Sequence, residues 1–304
     1  MTQRDSAARY LEAAALLPPA LGEAARRLDR LRQTGVEELR LRAGRRMTVV
    51  CPEGEVPVPD APPVTGADLA LVLEVATRAS LHTAQAQISS GFFTVQGGHR
   101  IGICGSGVMQ DGQVRSLRHV SSLAIRVARE VPGAARPVLD KLWRDGSLQS
   151  TLLISPPGGG KTTLLRDLIR RISDGAGCPA LRVGVADERG ELAAMREGQA
   201  QFAVGERTDV MDGCPKGMAL LMLLRGMNPQ VLAADEITAP EDCRALEVAA
   251  NCGVALLCSA HALDRADLNR RPLYQTLLER RIFRRLVVIR RTAEGRTYEV
   301  EQLC

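Results

Sequence analysis

The sequence is short of aromatic residues. Four Phe, three Tyr and one Trp make up 3% of its 304 residues. That is too few for the stacking platform on which sequence-tolerant nucleic-acid binders lay successive bases. Lysine is scarcer still: Lys141, Lys161 and Lys216 stand against 37 arginines. Arg, Ala and Gly all have GC-rich codons, so the arginine excess reads first as coding bias. A lysine at a chemically meaningful place therefore carries more weight than usual. No apolar run approaches the roughly 20 residues of a membrane span; the longest, Met218–Leu224 and Val254–Cys258, are far too short. The first 20 residues carry acids inside their apolar stretch and do not read as a signal peptide. Eight cysteines show no CxxC and no zinc-ligand spacing. Most sit in apolar segments, which predicts buried free thiols in a reducing cytosol.

What is present is an ordinary globular balance, 45% hydrophobic and 25% charged, over a length that predicts about two domains. Residues 6–32 read as two short helices broken at Pro18-Pro19, with Leu21, Ala25, Leu28 and Leu31 as a helical stripe. Glu38–Val50 reads as strands with a turn at Gly44, and proline-rich Cys51–Pro63 as a loop or edge segment. Thr65 and Asp68 form a capping-box pattern before a helix with Leu69, Val72, Leu73 and Ala76 on its apolar face. Ile88–Val108 reads as two strands around a Gly97-Gly98 turn, and Ser122–Ala128 as another strand. Val131–Pro137, with two prolines and a glycine, marks a boundary: an α+β N-terminal domain over 1–133 and a second domain over 134–304. In the second, strands at Thr151–Ile154, Leu181–Ala186, Val231–Ala234 and Val254–Cys258 alternate with helices at Thr162–Ser173, Gly217–Gly226 and Cys243–Cys252. That alternation predicts an α/β fold with a mostly parallel sheet. Arg285–Arg290 and Thr297–Val300 read as a hairpin turning at Glu294-Gly295.

The strongest motif is Thr151–Arg166, an apolar strand, a Pro/Gly loop, Lys-Thr-Thr and an amphipathic helix. It matches the Walker A phosphate loop except at its first position, where Ser155 replaces glycine. Ser155, Pro156, Pro157, Gly158, Gly159 and Gly160 would let backbone N–H groups point at phosphate oxygens, continuing into Thr163. Lys161 would supply the cation for the β- and γ-phosphates of ATP, and Thr162 a hydroxyl ligand for Mg²⁺. The second signal begins 74 residues after Lys161, where the apolar strand Val231–Ala234 ends in Asp235 and Glu236. Buried strands of an open α/β sheet carry their chemistry at the carboxyl ends. Asp235 then belongs in the metal shell, and Glu236 polarises the attacking water. Two further strands end in polar groups, one before Asp187-Glu188-Arg189-Gly190-Glu191 and one before His261.

These segments resemble the stage III sporulation protein AA family. The resemblance rests on residues 38–45 and 96–105, on 154–170, 185–193 and 208–217, and on 226–237. That family is an ATPase family of endospore-forming bacteria, similar to the type II and type IV secretion ATPases. The resemblance implies a RecA-like core, a hexameric ring, and work at the mother-cell cytoplasmic face of a membrane carrying a secretion-like complex. It implies an acidic box at Asp187 and Glu191, with Glu188 an alternative occupant, and a γ-phosphate-sensing histidine at His261. It also implies an arginine, Arg126 or Arg129, that reaches nucleotide in its own or a neighbouring subunit.

The rival reading is a RecA-like nucleic-acid translocase. Residues 265–296 hold ten arginines against three acids, an excess of +7, while the whole chain nets +5. Such a stretch can line a phosphate-binding surface. With so few aromatics beside it, a subunit interface ranks first, membrane or partner docking second and nucleic acid third.

Overall fold

The computed structural model describes residues 3–77, 91–110, 113–292 and 295–303. The start of the Ile88–Val108 segment and Glu294 of the expected hairpin turn lie outside the described residues. By packing, the chain divides into two units, Met1–Glu130 and Val131–Cys304.

The first unit is built on an antiparallel sheet. Its helices are α1 (Gln3–Ala14), α2 (Pro19–Arg26), α3 (Arg30–Gly35) and α4 (Gly66–Thr77). Its strands are β1 (Glu38–Arg42), β2 (Thr48–Cys51), β3 (Gly54–Pro57), β4 (Phe92–Thr94), β5 (Arg100–Gln110) and β6 (Gln113–Arg126), in the order β3-β2-β1-β6-β5-β4. The proline-rich segment does supply an edge strand, β3, where its prolines leave no central ladder incomplete. Thr65 and Asp68 cap α4 reciprocally: Thr65 N donates to Asp68 Oδ2 at 2.8 Å, and Asp68 N to Thr65 Oγ1 at 3.1 Å. Gly97 and Gly98, both at positive φ, turn the chain between β4 and β5. The core buries Tyr10, Leu21, Leu39, Leu41, Leu69, Ile101, Leu123 and Ile125. The expected second helix is instead two, because Asp29 accepts from Arg32 N and starts α3. The stripe therefore ends at Leu28, and Leu31 is 74% exposed.

The second unit is α/β. Its central sheet comprises β9 (Thr151–Ser155), β10 (Val183–Asp187), β11 (Thr208–Asp212), β12 (Val231–Ala234), β13 (Ala255–His261), β14 (Arg285–Thr292) and β15 (Gly295–Gln302). Helices α5 (Lys161–Asp174), α6 (Lys216–Gly226), α7 (Pro240–Asn251), α8 (Arg265–Asn269) and α9 (Pro272–Glu279) connect them, and the short ribbon β7 (Trp143–Arg144) and β8 (Ser147–Leu148) precedes them. The order is β11-β10-β12-β13-β9-β14-β15, parallel except for the β14–β15 hairpin. β9, β10 and β12 are buried at every position, as expected of strands covered on both faces. β11 was not expected from sequence: its Thr-Asp-Val-Met-Asp pattern lacks the continuous apolar run of its neighbours, because it is an edge strand. The linker segment is tied to α5 through buried Asp167, which accepts from Gly133 N at 3.0 Å and Ala135 N at 2.9 Å and pairs with Arg170 and Arg171. Burial pushes this carboxyl up, but the two amides and two guanidinium groups outweigh it and hold it below the usual range.

The thiols depart from expectation. Among the described cysteines only Cys51, Cys243 and Cys258 are buried; Cys104 and Cys252 are exposed, and Cys178 and Cys214 lie between. Among the described residues no helix is long and apolar enough to cross a membrane.

Candidate functional site

Parallel strands bring their carboxyl ends to one edge, and the register decides which residues meet there. β13 lies between β9 and β12. Pairing of Ala234 with Cys258 sets Asp235 beside Ser259, and pairing of Ser155 with His261 sets His261 beside the first residue of the phosphate loop. The loop and the acidic strand end are thus bridged by side chains from a third strand.

The loop itself is tight. Gly158 and Gly160 have φ of 73° and 102°, conformations that favour glycine. A Cβ on Gly159 would lie 2.6 Å from the Ser155 Cβ, so a small residue at 155 and none at 159 are mutually required. Ser155 Oγ donates to Pro156 O at 2.8 Å. α5 begins directly at Lys161, so the loop ends on a helix N-terminus with its unpaired amides and positive dipole end.

Lys161 is 4% exposed. Its Nζ contacts Ser155 O at 3.2 Å and Pro156 O at 3.5 Å, and lies 3.0 Å from His261 Nδ1. Burial lowers its pKa, and the carboxylates of Glu236 and Asp235 oppose that shift. Thr162 Oγ1 donates to Asp235 Oδ2 at 2.5 Å. The other Asp235 oxygen accepts from Ser259 Oγ, which also receives Glu236 N at 2.9 Å. Glu236 has φ of 50°, unusual for a residue with a side chain. Its carboxylate meets His261 Nε2 at 2.7 Å and Arg189 at 3.3 Å. His261 therefore spans Lys161 and Glu236, one ring nitrogen toward each.

The acidic segment after β10 holds three differently engaged carboxylates. Asp187, 3% exposed, accepts from the amides of Glu191, Leu192, Ala193 and Ala194 at 2.8, 3.0, 2.8 and 3.3 Å. It organises the following loop. Glu188 pairs with Lys216 at 2.7 Å. Asp187, Glu188 and Glu191 line one small cleft together with Asp235, Glu236 and Lys216. Arg126 lies at the end of β6 in the first unit, 3.4 Å from Glu38, and Arg129 donates to Thr34 O at 2.8 Å and to Val36 O.

Thr162 and Asp235 offer hard oxygen ligands in contact with each other, a donor set that fits Mg²⁺ completed by phosphate oxygens and waters. Among the described residues no cluster of three or more His, Cys, Asp or Glu side chains is arranged to hold a metal without such help. Ser259 and Arg189 belong to the polar strand ends expected at this edge, but residue pattern alone assigns them no individual role; here they contact Asp235 and Glu236. Sequence reasoning missed Arg296, whose Nε donates to Gly159 O at 2.9 Å, because no motif marks a residue that arrives from a distant strand.

This architecture, a mostly parallel sheet with a glycine-rich loop after β9 and a smaller unit built on an antiparallel sheet, has the RecA-like fold shared with solved structures. The Legionella pneumophila ATPase DotB superposes with a TM-score of 0.56 at 13% identity, over 90% of this chain and 79% of that one. The pilus retraction motor PilT with bound ADP gives 0.57 at 17%, over 88% and 79%. The description "Sporulation stage III, protein AA" matches residues 20–301, and the chain belongs to that family. Stage III sporulation protein AA of Bacillus subtilis (strain 168) is 37% identical over 281 residues, 92% of this chain and 91% of that protein.

Proposed function

We propose that the chain binds MgATP and hydrolyses it to ADP and phosphate, as an oligomeric ATPase of endospore formation. The observation that carries this reading is the linked set Lys161–His261–Glu236 and Thr162–Asp235, gathered on one sheet edge beside a helix N-terminus. In this reading the loop Ser155–Thr163 cradles the phosphates with the backbone amides of Gly158–Thr163, Pro156 and Pro157 having none to give, and Lys161 turns from the loop carbonyls toward the β- and γ-phosphates. Thr162 and Asp235 hold Mg²⁺, which supplies neutralisation of phosphate charge when bound. Glu236 orients the attacking water and accepts its proton, Glu191 adds a second carboxylate to the same cleft, and His261 registers the γ-phosphate. Arg126 contributes a charge-stabilising guanidinium, in cis or from a neighbouring subunit of a ring.

In this reading the ATPase works as a hexameric ring at the cytoplasmic, mother-cell face of a membrane, where it powers or regulates a membrane-embedded sporulation complex; membership of the sporulation family and the fold shared with an ATPase and a pilus retraction motor support it. Titration with ATP and measurement of phosphate release test the reading. Wild-type protein that binds ATP and releases phosphate, with Lys161→Ala losing both, supports it; wild-type protein that binds no nucleotide rejects it.

The nucleic-acid reading loses ground in three dimensions. Of the ten arginines in 265–296, Arg265, Arg271, Arg280 and Arg290 pair with Glu301, Asp267, Glu247 and Glu299. Arg285 and Arg296 donate to the carbonyls of Lys141 and Gly159. Stimulation of phosphate release by single-stranded DNA, with none by anionic vesicles, would restore it.

A further inference from the structure

Arg296 stands at the mouth of the phosphate loop although it lies 137 residues from the glycine it touches. It is carried there by β15, the outer strand of the sheet. Gly160 has φ of 102°, and a Cβ on it would lie 2.6 Å from Arg296 Nε and 3.1 Å from Cζ. Glycines in such loops keep the backbone open to an approaching pyrophosphate. In this chain the atoms beside that opening belong to a guanidinium.

Two observations point to an anion there. First, among the described residues the Arg296 guanidinium makes one hydrogen bond, from Nε to Gly159 O, and the residue is exposed. A guanidinium has five N–H donors in a fork that matches phosphate oxygens. Second, Arg296 sits directly across the ladder from Arg291. Like charges directly opposite destabilise a strand pair, and among the described residues neither arginine forms an ion pair with an acid. A bound anion would relieve that repulsion.

We propose that Arg296 is a nucleotide-phosphate ligand: Nε holds the Gly159 carbonyl while the Nη groups donate to phosphate oxygens of ATP or ADP. The inference rests on the ATP-binding reading above and adds to it a side chain from the C-terminal hairpin. Nucleotide binding is thereby coupled to the β14–β15 edge of the sheet. The same residue acting only as a strut for the Gly159 peptide would need a hydrogen-bond donor and no charge, which separates the two roles by experiment.

The test is calorimetric titration of wild type, Arg296→Lys, Arg296→Gln and Lys161→Ala with MgATP, MgADP and inorganic tripolyphosphate. Arg296→Gln should weaken all three ligands by about tenfold or more, as loss of a charge-assisted phosphate contact does. Arg296→Lys should stay within about threefold of wild type, since it retains the positive charge. Wild-type affinity in Arg296→Gln, or a larger loss in Arg296→Lys than in Arg296→Gln, overturns the proposal alone. Wild-type protein that binds no nucleotide overturns it together with the reading beneath it. Should the variants fail to fold, phenylglyoxal labelling of the wild-type protein decides. ATP should protect Arg296 from modification, and equal labelling with and without ATP overturns the proposal.

Discussion

Lys161 Nζ and His261 Nδ1 lie 3.0 Å apart across 100 residues of sequence, and the other histidine nitrogen reaches Glu236 at 2.7 Å. The phosphate-loop cation and the strand-end carboxylate are therefore mechanically connected through one imidazole. In the proposed reading, movement of Lys161 toward a phosphate would break or rotate this contact and alter the imidazole that holds Glu236. His261→Ala should leave ATP affinity within a few-fold of wild type and lower turnover by about 10²-fold or more, the range of general acid–base contributions. Single-turnover phosphate release against equilibrium ATP binding checks this.

Lys161→Met should lose ATP binding while the nucleotide-free protein stays at least as resistant to heat as wild type. Burial depresses the folded-state pKa of Lys161, so the cation is disfavoured in the native state. The unfolded chain binds more protons in the interval between that lowered pKa and the ordinary lysine value. Stability thus rises with pH across it, and the charge opposes folding at neutral pH. Thermal unfolding without nucleotide reads the first effect and calorimetry the second.

Glu236→Gln should bind ATP with near wild-type affinity and stall hydrolysis. Glu191→Gln should slow turnover without altering heat resistance. Wild-type turnover in Glu236→Gln would move the water-activating role to another carboxylate of the cleft.

Asp187→Ala tests the loop-organising role against an acidic-box role. Four amides would lose their acceptor in a buried site, and each such loss costs about 1–3 kcal/mol where water cannot substitute. The expected result is a large drop in the denaturation midpoint of the protein. A variant as stable as wild type but slow in turnover would restore the catalytic assignment.

His99 predicts a pH effect in the first unit. It is 1% exposed, Ala128 N donates to its Nδ1 at 3.1 Å, and burial lowers its pKa to about 4. Below the ordinary histidine value of about 6.5 the unfolded chain takes up a proton that the folded chain refuses. Stability should therefore fall as pH drops from about 6.5 toward about 4. Urea unfolding at several pH values should show this slope, and His99→Gln should flatten it.

The legible parts of the molecule were the local ones. The phosphate loop, the Asp235-Glu236 strand end and the Thr65–Asp68 cap are strand–loop–helix or helix-start patterns. Their partners lie within a few residues, so spacing and residue type suffice. Strand cores were legible for the same reason, although edge strand β11, with its two acids, was not. The split at Asp29 was missed because a single side-chain cap outweighs a continuing apolar stripe.

Tertiary structure decided what no spacing encodes. Insertion of β13 between β9 and β12 brings Ser259 to Asp235 and His261 between Lys161 and Glu236. The fold of the following loop gives Asp187 four backbone amides to accept from, which spacing alone does not show. Acids from outside the basic stretch, Glu247, Glu299 and Glu301, neutralise arginines that in sequence read as an open positive surface. Where β9, β12 and β13 meet, the deciding contacts join segments far apart along the chain, because parallel strands are paired through crossovers and not through turns. The sequence alone determined that a glycine-rich loop of Walker A pattern joins a buried strand to a helix; the order of strands in the sheet determined which side chains surround it.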